Sequence, residues 1–148
     1  MSVTGDRLVI WDFDGPLAHR SGETGWSILL AEALDGEDPG HGHSADTFRP
    51  HLREGFPWHR PEVAHPELCD PEAWWASVRP VLGRAYEAAG YVPARALELA
   101  DAARRLYVDP EVGWELFEDT LPTLAQLSRA GWTHAILSNH VPELRQIV

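Results

Sequence analysis

The run Leu8-Val9-Ile10-Trp11 is short, unbroken in its apolar character, and followed at once by Asp12-Phe13-Asp14-Gly15. An apolar run of this length closed by a turn signal predicts a buried strand. A second such run, Thr133-His134-Ala135-Ile136-Leu137, leads into Ser138-Asn139. Between the two runs the apolar positions recur at helical spacing. Trp26, Leu29, Leu30 and Ala33 predict a helix over Glu23–Leu34, broken by the Gly, Asp and Pro cluster from Asp35 to Gly42. Ser44 is placed to cap a short helix running to about Arg53. The Pro-bearing stretch 54–67 predicts a stiffened, irregular loop.

Asp70-Pro71 then sets a cap and first-turn proline for a longer helix with the stripe Trp75, Val78, Leu82, Ala85 and Ala89. Pro80 is expected to kink or divide that helix, and Gly90 to end it. Residues 93–107 give another helix with Ala96, Leu99, Ala100, Ala103 and Leu106 inward. Residues 119–130 give one more, stopped at Gly131, and 141–148 reads as the opening of a last one. The pattern is therefore one strand, a mostly helical stretch, and an α/β alternation resuming near residue 112.

Composition narrows the function classes. The chain has 148 residues, 44% hydrophobic and 24% charged, which suits a folded domain rather than a disordered one. Its net charge of -11 argues against nonspecific attraction to nucleic acid or an anionic membrane surface. All 12 basic residues are Arg, so any protein cation in a site must be a guanidinium. The one cysteine, Cys69, excludes an internal disulfide and suits a reducing compartment. A packed role for it is the commoner one. No signal peptide or membrane-length apolar segment is read in the sequence, and a cytoplasmic location is expected.

The chemistry concentrates at the end of the first strand. In extended backbone, residues two apart point to the same side, so Asp12 and Asp14 are expected to share a face while Phe13 packs into the opposite layer. Gly15 permits a sharp turn. Two neighbouring carboxylates repel unless a cation or a shared proton intervenes, and Mg²⁺ is the natural oxygen-binding mediator.

An apolar strand followed by Asp12-x-Asp14-Gly15 resembles the first motif of the haloacid dehalogenase-like hydrolases. The strand ending in Ser138 resembles the second motif, and Leu116–Leu127 with Gly131-Trp132 resembles the helix that precedes it in that family. Three matches in the correct order are far more specific than the bare Asp-x-Asp, whose carboxylates are usually just solvated. The fold this resemblance implies is α/β: a partial Rossmann-like parallel-sheet core from 1–16 and 112–148, with an inserted α-helical cap over 17–111. The cap is matched by pattern alone.

The resemblance implies a Mg²⁺-dependent phosphomonoesterase of a small phosphorylated metabolite. Asp12 would be the nucleophile and form an aspartyl-phosphate. Asp14 would protonate the leaving alkoxide and then deprotonate water. The metal would take a side-chain oxygen of Asp12 and the backbone carbonyl of Asp14. Ser138, with backbone N–H groups near Asn139, would bind phosphoryl oxygens. A carboxylate at position 14 favours phosphate esters over haloacids, because a halide needs no general acid. Pro16 departs from the Thr or Val usual in the family.

The family's third motif, a basic residue, and its fourth, an acidic cluster, have no counterpart after Ser138; Arg145 follows too closely. Only two parallel strands are legible, and parallel sheets normally hold several and are covered on both faces. Val9, Ile10, Ala135, Ile136 and Leu137 are thus expected to lack neighbours. The expectation is a truncated chain or a core completed by self-association or a second polypeptide, with little turnover from these residues alone. Two alternatives stand beside the phosphatase: a phosphotransferase or phosphonatase of the same fold, and a noncatalytic binding module derived from it.

Other residues weigh less. His51, His59 and His65 match no ligand spacing. Trp58-His59-Arg60 fits either a specificity loop or an exposed loop with one buried Trp, and Trp74 and Trp75 fit the cap core. Arg20 and Arg53 are candidate phosphate contacts against a stronger expectation of surface solvation.

Overall fold

The computed structural model describes residues 7–22 and 25–148. In chain order the elements are β1 (Arg7–Trp11), β2 (Ala18–Arg20), α1 (Trp26–Glu37), α2 (Ala45–Phe48), α3 (Pro71–Ala88), α4 (Pro93–Val108), β3 (Trp114–Leu116), α5 (Thr120–Arg129), β4 (Trp132–Ile136) and α6 (Leu144–Ile147). Short 3-10 turns at Arg49–Leu52, Pro57–His59 and Pro66–Cys69 punctuate the Pro-bearing loop. The class is mixed α/β with a small parallel sheet. Glu23, expected to start the first helix, lies outside the described residues. No helix among those described is long and apolar enough to cross a membrane.

The chain divides into two units, Met1–Ser21 with Trp114–His140, and Gly22–Gly113 with Val141–Val148. These limits differ from the expected 1–16 plus 112–148: residues 17–21 join the strands, and the last eight residues join the helices.

In the strand unit, β1 and β4 pair in parallel from Arg7↔Trp132 to Trp11↔Ile136. A second, antiparallel pair, β2 with β3, was not legible in the sequence. Each of its strands has three residues, too few to show a period. The expectation that β1 is buried is corrected. Leu8 and Ile10 are 52% and 56% exposed, and Ile136 and Leu137 are 40% and 75% exposed. The parallel sheet has only these two strands among the described residues, too few to bury those side chains. Leu116, Phe117 and Leu121 are exposed in the same unit.

The helical unit buries its apolar stripes conventionally. Asp70 Oδ1 accepts the Ala73 N–H at 2.9 Å, so the expected cap opens α3. Pro80 does not divide α3, which runs unbroken for 18 residues. Pro80 and Ala76 are both on the exposed side, while Val78, Val81, Leu82 and Ala85 are buried against the rest of the unit. That burial outweighs a penalty of roughly 3 kcal/mol for an interior proline. Gly83 marks a close approach of α3 to α4, since a Cβ there would stand 3.0 Å from the Leu97 side chain.

An aromatic cluster closes the unit. Trp26 stacks on Tyr107 at 5.2 Å and meets Phe56, Trp58, Trp74 and Trp75 at 5.2–6.3 Å. Trp75 is buried and Trp74 half-buried, whereas Trp58 is exposed and stacked on Phe56 at 4.3 Å. Cys69 is exposed rather than packed, and Arg20 is buried rather than solvated.

Candidate active site

The parallel register brings the two predicted motifs together. β1 and β4 end side by side, and Leu137 N–H continues the ladder by donating to Trp11 O at 2.9 Å. Asp12 and Ser138 therefore emerge as neighbours at the carboxyl ends of adjacent strands, the end at which open α/β sheets bind ligands. Ser138 Oγ donates a short hydrogen bond to Asp12 Oδ1. The Phe13 N–H donates to the same oxygen at 2.8 Å. Oδ1 thus holds two donors, and Oδ2 holds none among the described residues. Asp12 is exposed and Ser138 half-buried, so the free carboxylate oxygen is accessible.

Beneath the two motifs lies one buried ring. Phe13, 2% exposed, packs against Trp114 at 5.1 Å and edge-on to His140 at 5.5 Å. His140 in turn packs on Trp114 at 4.9 Å. Both site segments, Asp12-Phe13 and Ser138-Asn139-His140, are thereby held by the same aromatic group. His140 was not singled out from the sequence, since a lone His after a strand carries no local signal.

Asp14 sits in the turn beyond the strand and is exposed. Gly15, at φ 101°, reverses the chain and donates its N–H to Ala18 O at 2.8 Å. Leu17 and Ala18 N–H groups both donate to Phe13 O at 3.1 Å. The turn uses the N–H groups of residues 15, 17 and 18, so the missing one at Pro16 costs it nothing. Buried Thr120, at the start of α5, donates Oγ1 to Leu17 O at 2.7 Å, and Phe117 N–H donates to the same carbonyl at 3.3 Å. Thr120 is thus an anchor for the Asp14 turn that sequence reasoning missed.

Trp11, next to Asp12, is fixed from the side. Its indole Nε1–H donates to His134 Nδ1 at 3.0 Å, and His134 Nε2 lies 2.9 Å from Ser128 Oγ. An indole nitrogen only donates, so Nδ1 must be bare and the ring proton must sit on Nε2, facing Ser128.

The donor types here are hard oxygens, the exposed carboxylates of Asp12 and Asp14. Mg²⁺ commonly binds through one or two carboxylates and keeps several waters, so Asp12 and Asp14 suit it. They suit Zn²⁺ poorly, for want of His or Cys ligands. No cluster of three or more His, Cys, Asp or Glu occurs among the described residues. His51 and His59 are exposed and His65 half-buried, and they form no such cluster. Asn139 follows Ser138 directly and is exposed.

No protein-family model matches the chain, and no curated protein matches it either.

Proposed function

We propose that the protein is a Mg²⁺-dependent phosphomonoesterase of the haloacid dehalogenase-like type, built on a Rossmann-like core with an inserted helical cap and acting on a small phosphorylated metabolite. One observation carries the reading: the Asp12 carboxylate is hydrogen-bonded to the Ser138 hydroxyl at the carboxyl ends of paired parallel strands. The residues that meet there stand 126 positions apart in sequence.

In this reading the Ser138 hydroxyl leaves Asp12 and donates to a phosphoryl oxygen when substrate arrives, joined by the N–H of Asn139. Oδ1 keeps the Phe13 N–H, which orients the carboxylate, and the unencumbered Oδ2 attacks phosphorus in line. The phosphorus–ester oxygen bond breaks as Asp14 gives its proton to the departing alkoxide. Asp14, now ionised, takes a proton from the water that attacks the aspartyl-phosphate, and phosphate leaves with Asp12 restored. Mg²⁺, when bound by Asp12 and the Asp14 carbonyl, would supply charge neutralisation between carboxylate and phosphate.

The reading includes a further polypeptide segment, from a second chain or another copy, laid over the sheet. The exposed Leu8 and Ile10, which share one face of the sheet, and the exposed Leu137 beyond β4 support that part of it. The same exposed patch favours the second reading, a noncatalytic interaction module.

Incubation with phenyl phosphate and Mg²⁺ separates the two readings. Slow phosphate release, reduced at least about 10³-fold by Asp12→Asn, is the expected result. Equal release by both proteins would refute Asp12 as nucleophile. Absence of both release and Mg²⁺ binding would favour the interaction module.

A further inference from the structure

The helical unit treats its arginines in two ways. Arg49, Arg79, Arg95, Arg104 and Arg105 each hold a carboxylate. Arg53, Arg60, Arg84 and Arg145 form no ion pair among the described residues, although the chain carries 23 acidic side chains against 12 basic ones; of these four, Arg53 and Arg84 come together. Arg53 and Arg84 line one cleft of about 460 Å³, together with Pro50, His51, Glu54 and Gly55. Glu54 is also there and forms no ion pair with either arginine among the described residues.

The loop runs close to Arg84. Gly55 adopts φ 99°, a conformation that other residues avoid. A Cβ at this position would stand 2.8 Å from the Arg84 guanidinium and 3.2 Å from Val81. Glycine therefore lets the guanidinium lie against the loop backbone, while Pro50 limits the loop's freedom at its start. Two arginines and a histidine lining a cleft of small-ligand size are the residue types that a phosphate group needs. Guanidinium offers paired N–H donors in a plane that fits two phosphate oxygens.

We propose that this cleft is an anion site that binds the phosphate group of a small phosphorylated metabolite, with Arg84 and Arg53 as its donors and Gly55 as the residue that seats Arg84. The site stands on the helical unit's own residues and does not depend on the phosphatase reading.

The test is a titration of the full chain with phenyl phosphate and with inorganic phosphate, at ionic strength held constant with chloride, followed by amide NMR. Saturable shifts at Gly55 and neighbouring amides are expected. Arg84→Gln should weaken them at least about tenfold, as loss of a charge-assisted hydrogen bond does. Arg84 is exposed, so the substitution leaves folding intact, which circular dichroism checks. Gly55→Ala should weaken binding too, by displacing the guanidinium. The same titration of Asp12→Asn should leave the Gly55 shifts unchanged, which separates this site from the strand-end carboxylates. Equal affinity in wild type and Arg84→Gln would overturn the proposal, as would shifts confined to residues 12–15 and 138–139. Binding of inorganic phosphate without the ester would overturn the metabolite assignment.

Discussion

Glu143 offers the sharpest test of how the last segment is held. Its carboxylate is only 4% exposed, yet it sits five residues after the exposed-to-half-buried Ser138 motif. Oε1 accepts the Trp75 Nε1–H at 2.9 Å and an Arg104 N–H at 3.3 Å. Arg104 is also forked onto Glu72 at 3.1 and 2.5 Å, and this pairing holds the Glu72 carboxyl below its usual range. Glu143→Ala would leave the buried indole N–H of Trp75 without an acceptor, a cost of about 1–3 kcal/mol. Arg104 would keep Glu72 and partial contact with solvent, so its loss adds at most about 1 kcal/mol. The expected destabilisation is therefore about 1–4 kcal/mol. Glu143→Gln keeps an acceptor for the indole and removes only the charge, so it should cost about 1 kcal/mol. Urea denaturation followed by tryptophan fluorescence measures both. Trp75→Phe completes a double-mutant cycle, for which about 1–2 kcal/mol of coupling is expected. Destabilisation by Glu143→Ala below about 0.5 kcal/mol, with no coupling to Trp75, would show that the contact does not hold the segment.

Alkaline pH should loosen the helical unit. The buried Tyr86 hydroxyl donates to Leu30 O at 2.8 Å, and burial pushes its pKa well above the ordinary tyrosine value. Burial, followed by the hydrogen bond to Asp38, pushes Tyr91 up to about 12. The folded state keeps these protons after the unfolded chain has lost them, so their contribution is intact below about pH 10 and falls above it. For Tyr86 the slope approaches about 1.4 kcal/mol per pH unit, and Tyr86→Phe should flatten it in urea titrations between about pH 10 and 12. An unchanged slope would contradict the burial argument. At the exposed sheet, Ile10→Thr with Leu137→Ser should lower the binding of a hydrophobic dye and change stability by less than about 0.5 kcal/mol. A large loss of stability would mean that those side chains are packed.

Much of the local structure was legible because its causes are local. The Asp70 cap, the stripe of α3 and α4, and the glycine stops at Gly90 and Gly131 depend on residues within a turn or two of each other. That α3 runs undivided through Pro80 was not legible, for the opposite reason. The proline's penalty is local, but the burial of Val78, Val81 and Leu82 that overrides it comes from the rest of the helical unit. The short β2–β3 pair was invisible because three-residue strands owe their existence to their partner rather than to any period of their own.

The candidate site divides in the same way. The sequence by itself determined that an Asp-x-Asp-Gly turn follows an apolar strand and that a hydroxyl ends another, since each feature is contiguous. Only tertiary structure decided that Ser138 donates to Asp12, that Phe13 and His140 share one buried contact, and that Thr120 ties down the Asp14 turn. Those outcomes depend on which strand pairs with which, and in what register. Pairing is set by the burial available to the whole chain, a quantity that no short window of residues contains.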